Sequence, residues 1–289
     1  MPEGLSQAGL EECYRELLNT VLSGNTKLPS LPDVTMQVRE AIAEENTTSA
    51  EITEIIMKDP ALTAYLVQTA SSPIYRRAVP PKSLSDVVGL LGFSATNSLV
   101  MLHTTRNMVE LNDANARSIF QHTWDRLVVK ASIGAYIAQK TRSMPFDEVQ
   151  LAMLLSEVGS LTVLSSMLDS SQEIDSEIYF QMCRQYAKHI GGAVLRKWEV
   201  DSDFIDVMEK SGQWNEFHDD DFSLLDIANL SIYHTVRMTV DAPTLPEVES
   251  IGAFKKLPVE HRRSSKKEGW LDLISDNNDE IQAIISSFK

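Results

Sequence analysis

The stretch MLLSEVGSLTVL, Met153–Leu164, lies in the most apolar run of the chain and favours a helical core. From Leu151 to Leu168, eleven of eighteen residues are Leu, Met, Val or Ala, which is typical of a buried helix. One carboxylate, Glu157, stands inside this run, directly after Ser156. A buried carboxylate needs a partner or must take up a proton. The stretch therefore predicts a core helix and raises the question of what Glu157 contacts.

The composition indicates an intracellular globular protein. The chain has 289 residues and a net charge of −15, which allows one large domain or two modest ones. A broad acidic surface repels phosphate backbones, so we expect no nucleic-acid partner. Cys13 and Cys183 are far apart, in no metal-binding spacing, and are expected to be reduced, partly buried thiols. The N-terminus lacks a secretion signal, and no apolar run without charges approaches the length of a membrane span, so we expect a cytoplasmic protein with no membrane insertion.

Helix-start signals follow one another closely along the chain. They are Thr48 with Glu51, Asp59 with Pro60, and Ser83 with Asp86, whose helix ends at Gly92. Longer helices are predicted from about Arg117 to Gln139 and over Asp219–Met238, with Asp219, Asp220 and Asp221 as N-terminal caps of the second. Convincing strand alternation is absent. The prediction is an all-α fold with two helical lobes, Leu28–Val109 and Arg117–Met238, and a C-terminal appendage.

The predicted domain organisation has three parts. Residues 1–27 form an N-terminal helix, 28–240 a helical domain, and 241–289 a proline- and charge-rich loop followed by a terminal amphipathic helix. The apolar face of that last helix is expected to dock on its own domain or on a partner. Within the loop, Lys255–Lys267 carries six cations and one carboxylate. We interpret this basic segment as a solvated loop, and the alternative is a docking site for an acidic partner.

Six segments together resemble a known family. They are LPSLPDVTMQVREAI, TTSAEITEIIMKDPALTAYLVQTASSPIY, SLSDVVGLLG, HTWDRLVVKASIGAYIA, MLLSEVGSLTVL and HIGGAVLRKWEV. In this order they resemble the HDOD family, the HD-related output domains of bacterial signalling proteins, over roughly Leu28 to Trp214. The most specific elements are the Asp59–Thr63 helix start, Leu91-Gly92, and the spacing of seven between Gly191 and Trp198.

The resemblance implies a relation to the wider HD superfamily, whose enzymes are metal-dependent phosphohydrolases. In those enzymes several His residues, a His-Asp pair and a late Asp hold a metal that activates water against a phosphate. In this chain the first His falls on Arg126, the His-Asp pair on Ser156-Glu157, and a later His on Ala187. The paired-His region falls near Ser211-Gly212 and the late Asp near Asn229.

This placement of the HD pattern on the chain predicts no metal site and no catalytic residues. Arg126 stays protonated and cannot ligate a cation, and Ser and Ala are poor replacements for imidazole. Glu157 is the ligand-capable carboxylate that remains. Two interpretations of it are open: it pairs with Arg126, directly or through water, or it leans into solvent at a helix edge.

The six histidines and the other motifs do not point to a second site. We interpret His189 as a helix-surface residue and His218, in FHDDD, as part of a polar run. The others are interpreted as packing, hydrogen-bonding or loop residues: His103, His122, His234 and His261. The chain has no P-loop, no dinucleotide-binding fingerprint and no nucleophile elbow.

The resemblance implies a non-enzymatic regulatory module that binds other signalling proteins in trans and uses no cofactor. Besides the terminal helix, the candidate contact residues are Tyr75, Arg76 and Arg77 in one turn, and Arg262, Arg263, Lys266 and Lys267 in the basic segment. Two alternatives stay open. One is a metal-dependent phosphohydrolase with relocated ligands, and the other is a small-ligand sensor, for instance of nucleotides, that uses the emptied pocket.

Overall fold

The computed structural model describes residues 7–23, 32–72, 75, 81–107, 114–169, 175–214, 221–239, 244–262, 274 and 278–286. Within these ranges the chain forms fifteen α-helices, a short 3-10 helix and no β-strand, which confirms the predicted all-α class. The α-helices are α1 (Gln7–Ser23), α2 (Asp33–Ala43), α3 (Ser49–Ile56), α4 (Pro60–Ala70), α5 (Leu84–Leu91), α6 (Phe93–Arg106), α7 (Ala114–Thr141), α8 (Phe146–Leu155), α9 (Val158–Asp169), α10 (Ser176–Lys197), α11 (Ser202–Lys210), α12 (Leu224–Arg237), α13 (Gly252–Lys256), α14 (Val259–Arg262) and α15 (Asp279–Ser286).

The first lobe consists of α2 to α6, which pack against one another. Its helices start where the sequence predicts: Thr48 with Glu51 and Ser83 with Asp86 form capping boxes, and Asp59 accepts hydrogen bonds from the first turn of α4. Each cap satisfies amides that the first turn leaves without a partner, and so fixes where the helix begins. Gly92 ends α5 with a φ of 79°, in the left-handed region that favours glycine.

The second lobe is built around α7, which packs against α8, α9, α12 and α15. It extends beyond the predicted Arg117–Gln139 at both ends, and residues 131–138 are all buried. The α6–α8 contact joins the two lobes. Residues 131–138 would be exposed in an isolated helix, but here neighbouring helices cover them on several sides. Helix α7 is therefore the central helix of the second lobe.

The apolar run of the opening stretch is broken into two helices. Ser156 and Glu157 form a turn between α8 and α9, so the prediction of one continuous core helix is wrong. The amide of Ser156 still bonds to Ala152 and that of Leu161 to Glu157, so the turn costs few backbone hydrogen bonds. The break moves the Glu157 side chain out of the apolar packing and toward α7.

Helices α9 and α10 cross at glycines. A Cβ atom on Gly159 would lie 2.7 Å from the carbonyl carbon of Ala187 and 3.0 Å from the amide nitrogen of Gly191. The absence of a side chain at Gly159 therefore permits backbone-to-backbone contact between the two helices. This crossing brings the start of α9 and the middle of α10 to the same place in the fold.

Helix α12 begins later than predicted. Its N-cap is Ser223, which forms a capping box with Asp226, and the helix starts at Leu224. Asp221 precedes this cap, so the prediction that it caps the helix is wrong; Asp219 and Asp220 lie outside the described residues. The Ser223 hydroxyl accepts a hydrogen bond from the Asp226 amide, and the Asp226 carboxylate accepts one from the Ser223 amide. This reciprocal pair of bonds explains why the helix begins after Ser223.

The C-terminal appendage packs onto the second lobe. Helix α13 contacts α12, where the Lys256 ammonium lies 3.1 Å from the Asp226 carboxylate in an ion pair with both side chains nearly buried. The interpretation of the basic segment as a solvated loop is therefore wrong at Lys256. The apolar face of α15, with Ile281 and Ile284 buried, packs on α7. That face is not available to a partner.

Helix α1 packs on α10 through a stacked aromatic pair, Tyr14 with Tyr186, whose ring centroids are 4.2 Å apart. Cys13 on α1 is exposed and Cys183 on α10 is half-buried, so the prediction of a partly buried thiol holds for the second cysteine only. The predicted domain boundaries after residues 27 and 240 fall outside the described residues and stay predictions.

One stretch of the described chain, Glu148–Leu168, is long and apolar enough to cross a membrane by composition, and 61% of its most apolar window is buried inside the fold. The stretch contains Glu148 and Glu157, so it agrees with the expectation that no run of that length is free of charges. The stretch comprises α8 and α9 with the turn between them, and its apolar residues pack in the second lobe.

Candidate functional site

A half-open cavity of about 270 Å³ lies where α7, the α8–α9 turn, α10, α12 and the end of α11 meet. Its lining includes six of the seven positions that the family resemblance singles out, namely Arg126, Ser156, Glu157, Ala187, Ser211 and Gly212. The seventh, Asn229, is buried behind the wall, where its Oδ1 accepts a 2.7 Å hydrogen bond from the Gly212 amide. Residues more than a hundred positions apart thus meet in one place.

Glu157 pairs with Lys130, a residue that the sequence analysis does not single out. The Lys130 ammonium donates to Glu157 Oε1 at 2.6 Å and to Ser156 Oγ at 2.7 Å. The Lys130 side chain is 8% exposed and that of Glu157 is 23% exposed, so this ion pair lies mostly inside the fold. Ser160 Oγ completes the carboxylate's hydrogen bonding by donating to Oε2 at 3.1 Å.

Arg126 lies on the same cavity, one helical turn before Lys130, and is exposed. Among the described residues it forms no hydrogen bond or ion pair, so the predicted direct pair with Glu157 is wrong. The interpretation of Glu157 as a solvent-exposed carboxylate is wrong as well, because the carboxylate is half-buried and paired with Lys130.

The electrostatics favour the charged form of Glu157. Burial alone raises the pKa of this carboxyl, but the charge and hydrogen bond of Lys130 outweigh burial, helped by the charge of Arg126 and the Ser160 hydroxyl. The net result is a pKa below the usual value for glutamate. Glu157 is therefore a carboxylate at neutral pH, and it stays paired rather than taking up a proton.

Lys188 and Asn229 fix the part of the cavity wall at Ser211 and Gly212. The Lys188 ammonium donates to the carbonyl oxygen of Ser211, and partial burial lowers the pKa of Lys188. Gly212 has a φ of 83°, which glycine adopts without strain, and its amide is held by Asn229. Asn229, near which the family resemblance puts the late Asp of HD enzymes, thus fixes this turn through its side-chain oxygen.

Cys183 also lines the cavity, and its thiol is half-buried. Burial raises the pKa of its thiol to about 12, with the neighbouring Glu157 charge acting in the same direction. A thiol with such a pKa stays protonated at neutral pH and is unreactive.

The described residues that line the cavity are poor ligands for the metal that HD enzymes hold. Within the described ranges, no group of three or more His, Cys, Asp or Glu side chains lies together so as to hold an ion. The cavity offers one carboxylate, already bound to an ammonium, and hydroxyl groups, where a divalent metal of this type prefers imidazoles and carboxylates.

The predicted contact residues are only partly described. Tyr75 is half-buried, and Arg262, in α14, is exposed while its Nε donates to the carbonyl of Leu257. Arg76, Arg77, Arg263, Lys266 and Lys267 lie outside the described residues. Their role as a partner surface stays a prediction.

The histidines of the described chain do not gather at the cavity. His189 is exposed on α10, which confirms its interpretation as a helix-surface residue, and His103 packs against Tyr65. His234 is 1% exposed, and within the described chain neither ring nitrogen has a hydrogen-bond partner. Burial, with a smaller effect from Arg237, lowers the pKa of His234 from 6.5 to about 3. It is a neutral packing residue.

This buried histidine predicts an acid-sensitive fold. Because the pKa of His234 is lower in the folded protein than in the unfolded chain, the unfolded chain binds the extra proton below pH 6.5, and stability falls as the pH drops from 6.5 toward 3. Between pH 7.5 and 5.0 we expect wild type to lose about 2 kcal/mol more unfolding free energy than His234→Gln.

Urea denaturation at the two pH values measures the difference. His189→Gln is the matched control, since its side chain is exposed, and should keep the wild-type pH dependence. An equal pH dependence in wild type and His234→Gln would show that His234 is not buried as a neutral ring.

Comparison with known proteins agrees with this architecture. The HDOD domain family matches residues 28–213. No curated protein sequence matches the chain. Among solved structures, a Shewanella amazonensis protein with the provisional name metal-dependent phosphohydrolase is 22% identical, with a TM-score of 0.73 over 97% of this chain and 99% of its own.

Two further structures share the fold at lower similarity. An HDOD domain protein of unknown function from Geobacter sulfurreducens is 18% identical, with a TM-score of 0.55 over 96% of this chain and 87% of its own. A protein from Marinobacter aquaeolei, provisionally named a signal transduction protein, is 17% identical, with a TM-score of 0.58 over 96% of this chain and 66% of its own. At these identities the likeness concerns the fold.

Proposed function

The chain belongs to the HDOD domain family, and we propose that it is a non-enzymatic regulatory module in which a lysine–glutamate ion pair stands where HD enzymes hold a metal. The observation that carries the proposal is the contact of Lys130 with Ser156 and Glu157, the two residues on which the His-Asp pair falls. An ammonium at this point neutralises the carboxylate that a metal would need.

The chemistry of the cavity supports this proposal. Without a metal to lower its pKa, water is a weak nucleophile toward a phosphate at neutral pH. A general base would have to take its place, but Glu157 has a lowered pKa and is held by Lys130, while the Cys183 thiol stays protonated. None of these groups is poised to activate water.

The regulatory part of the proposal rests on the family and on the relative from Marinobacter aquaeolei, whose provisional name is signal transduction protein. A helical domain that catalyses no reaction acts by binding other molecules. We place the partner contacts at the exposed Arg262 and at the turn of Tyr75, and the partner is another signalling protein bound in trans.

Hydrolysis assays test the absence of chemistry. Wild type with p-nitrophenyl phosphate or bis(p-nitrophenyl) phosphate, and with Mn²⁺, Mg²⁺ or Zn²⁺, should release p-nitrophenol no faster than the same metal in buffer. Glu157→Gln, which removes the carboxylate and keeps its shape, should behave identically. Metal-dependent turnover that Glu157→Gln abolishes would show a working HD-type site. Turnover that survives this change would show relocated ligands. Either result would contradict the proposal.

A further inference from the structure

The charge of the cavity is opposite to that of the protein. Its charged lining consists of Arg126, Lys130, Lys188 and Glu157, which leaves an excess of two positive charges in a chain whose net charge is −15. A concave surface of one sign focuses its field and attracts the opposite charge. The ligand class that this cavity favours is therefore anionic.

The cations keep hydrogen-bond donors for such an anion. Within the described chain the guanidinium of Arg126 has no partner, and it is exposed at the cavity. The ammonium of Lys130 uses two of its donors on Ser156 and Glu157, and that of Lys188 donates to Ser211. An ammonium has three donors and a guanidinium five, so each cation has at least one left.

Part of the uncharged wall is apolar, beside the hydroxyl groups of Ser156, Ser160, Ser211 and Thr235. Met208, Ile232 and Val236 line the cavity alongside the charged residues. The cavity of about 270 Å³ lies just below the size range of pockets that enclose drug-sized ligands, so it suits a small molecule rather than a dinucleotide. An anionic group with a modest organic part would satisfy both sides of the cavity.

We propose that this cavity binds the dianionic phosphoryl group of a small phosphomonoester without a metal and without hydrolysing it. The two negative charges match the excess positive charge, and the planar fork of Arg126 suits two phosphoryl oxygens. The organic part lies against Met208, Ile232 and Val236. This inference rests on the proposed function, since a metal in the cavity would supply the positive charge instead, and it makes the module a sensor of a phosphorylated metabolite.

Isothermal titration of the full chain after EDTA treatment tests the inference. The probes are sodium phosphate, adenosine 5′-monophosphate and, as the uncharged control, adenosine. Saturable binding of the monophosphate is expected, and adenosine should not bind. Loss of the charged hydrogen bonds in Arg126→Ala should weaken that binding about tenfold to a hundredfold. Arg117→Ala, an exposed arginine on the same helix but outside the cavity, should bind as wild type.

The outcomes separate the inference from the proposed function. Equal affinity for phosphate and the monophosphate would support the phosphoryl site with free phosphate as its source, and tighter binding of the monophosphate would support an ester. Failure of both probes to bind, or binding unchanged in Arg126→Ala, would overturn the inference and leave the non-enzymatic module intact. Binding that appears only when Mn²⁺ is added would overturn both.

Discussion

Gly159→Ala is expected to lower the free energy of unfolding by about 3 kcal/mol. A Cβ atom at this position would overlap the carbonyl oxygen of Ala187 and approach the Gly191 amide nitrogen to 3.0 Å. Both atoms belong to the backbone of α10, so no side-chain rotation relieves the overlap. Relief requires α9 and α10 to move apart, which opens the packing beside the cavity.

Urea denaturation measures this loss, and Gly89→Ala is the matched control. Gly89 is an exposed residue within α5, where an added Cβ atom would meet nothing within 4 Å. Alanine there should raise the free energy of unfolding by about 0.5–1 kcal/mol, because it favours the helix and restricts the unfolded chain. If Gly159→Ala is too unstable to purify, its soluble yield beside that of Gly89→Ala gives the same comparison. Equal stability of the two variants would contradict the close crossing of α9 and α10.

Lys130→Met is expected to lower the free energy of unfolding by about 2–3 kcal/mol at neutral pH. The substitution keeps the length and apolar stem of the side chain but leaves the half-buried Glu157 carboxylate without its main partner. The expected loss is smaller than for a fully buried pair, because Glu157 keeps some contact with solvent and the Ser160 hydrogen bond.

Two controls separate the ion pair from the loss of a lysine. Lys130→Met with Glu157→Gln removes both charges and should lie within about 1 kcal/mol of wild type. Lys140→Met breaks the ion pair between Lys140, also on α7, and Glu280, which is more exposed than the pair of Lys130 with Glu157. This change should lower the free energy of unfolding by less than about 1 kcal/mol. A double variant as unstable as Lys130→Met alone would show that lysine packing, and not the charge pair, accounts for the loss.

The pH dependence of this variant has a definite sign. In wild type the pKa of Glu157 is lowered by folding, so its pairing adds stability above the ordinary glutamate pKa, and this stability is lost as the pH falls through the folded value. In Lys130→Met the carboxyl is unpaired and gains by taking up a proton. The stability difference between the two proteins should therefore shrink as the pH falls from 7 toward 4.

Sequence reasoning located the helix starts because their causes are local. Thr48 with Glu51 and Ser83 with Asp86 act over one turn, and the hydrogen bonds that they form are fixed by the backbone itself. The break at Ser156-Glu157 was not predictable in the same way, since the apolar pattern continues across it on both sides. Its cause is tertiary: the polar pair turns toward Lys130, a residue from another helix.

The partner of Glu157 is the main feature of the site that the sequence analysis missed. Lys130 and Glu157 are separated by 27 positions, and no local rule joins them. A signal was present, however, because Lys130 stands between LVV and ASIGAYIA in a stretch that is otherwise uncharged. A cation there predicts a buried partner of opposite charge. Arg126, one turn earlier, drew attention only through the family pattern, and it is exposed.

In the proposed function, the Lys130 ammonium takes the place of a metal beside Glu157. This replacement is tested by the metal content of the wild-type preparation used for hydrolysis, purified without chelators and measured by inductively coupled plasma mass spectrometry. We expect Mn, Fe and Zn far below one equivalent per chain, with no change in Glu157→Gln. One equivalent of any of these metals in wild type, lost in Glu157→Gln, would contradict it.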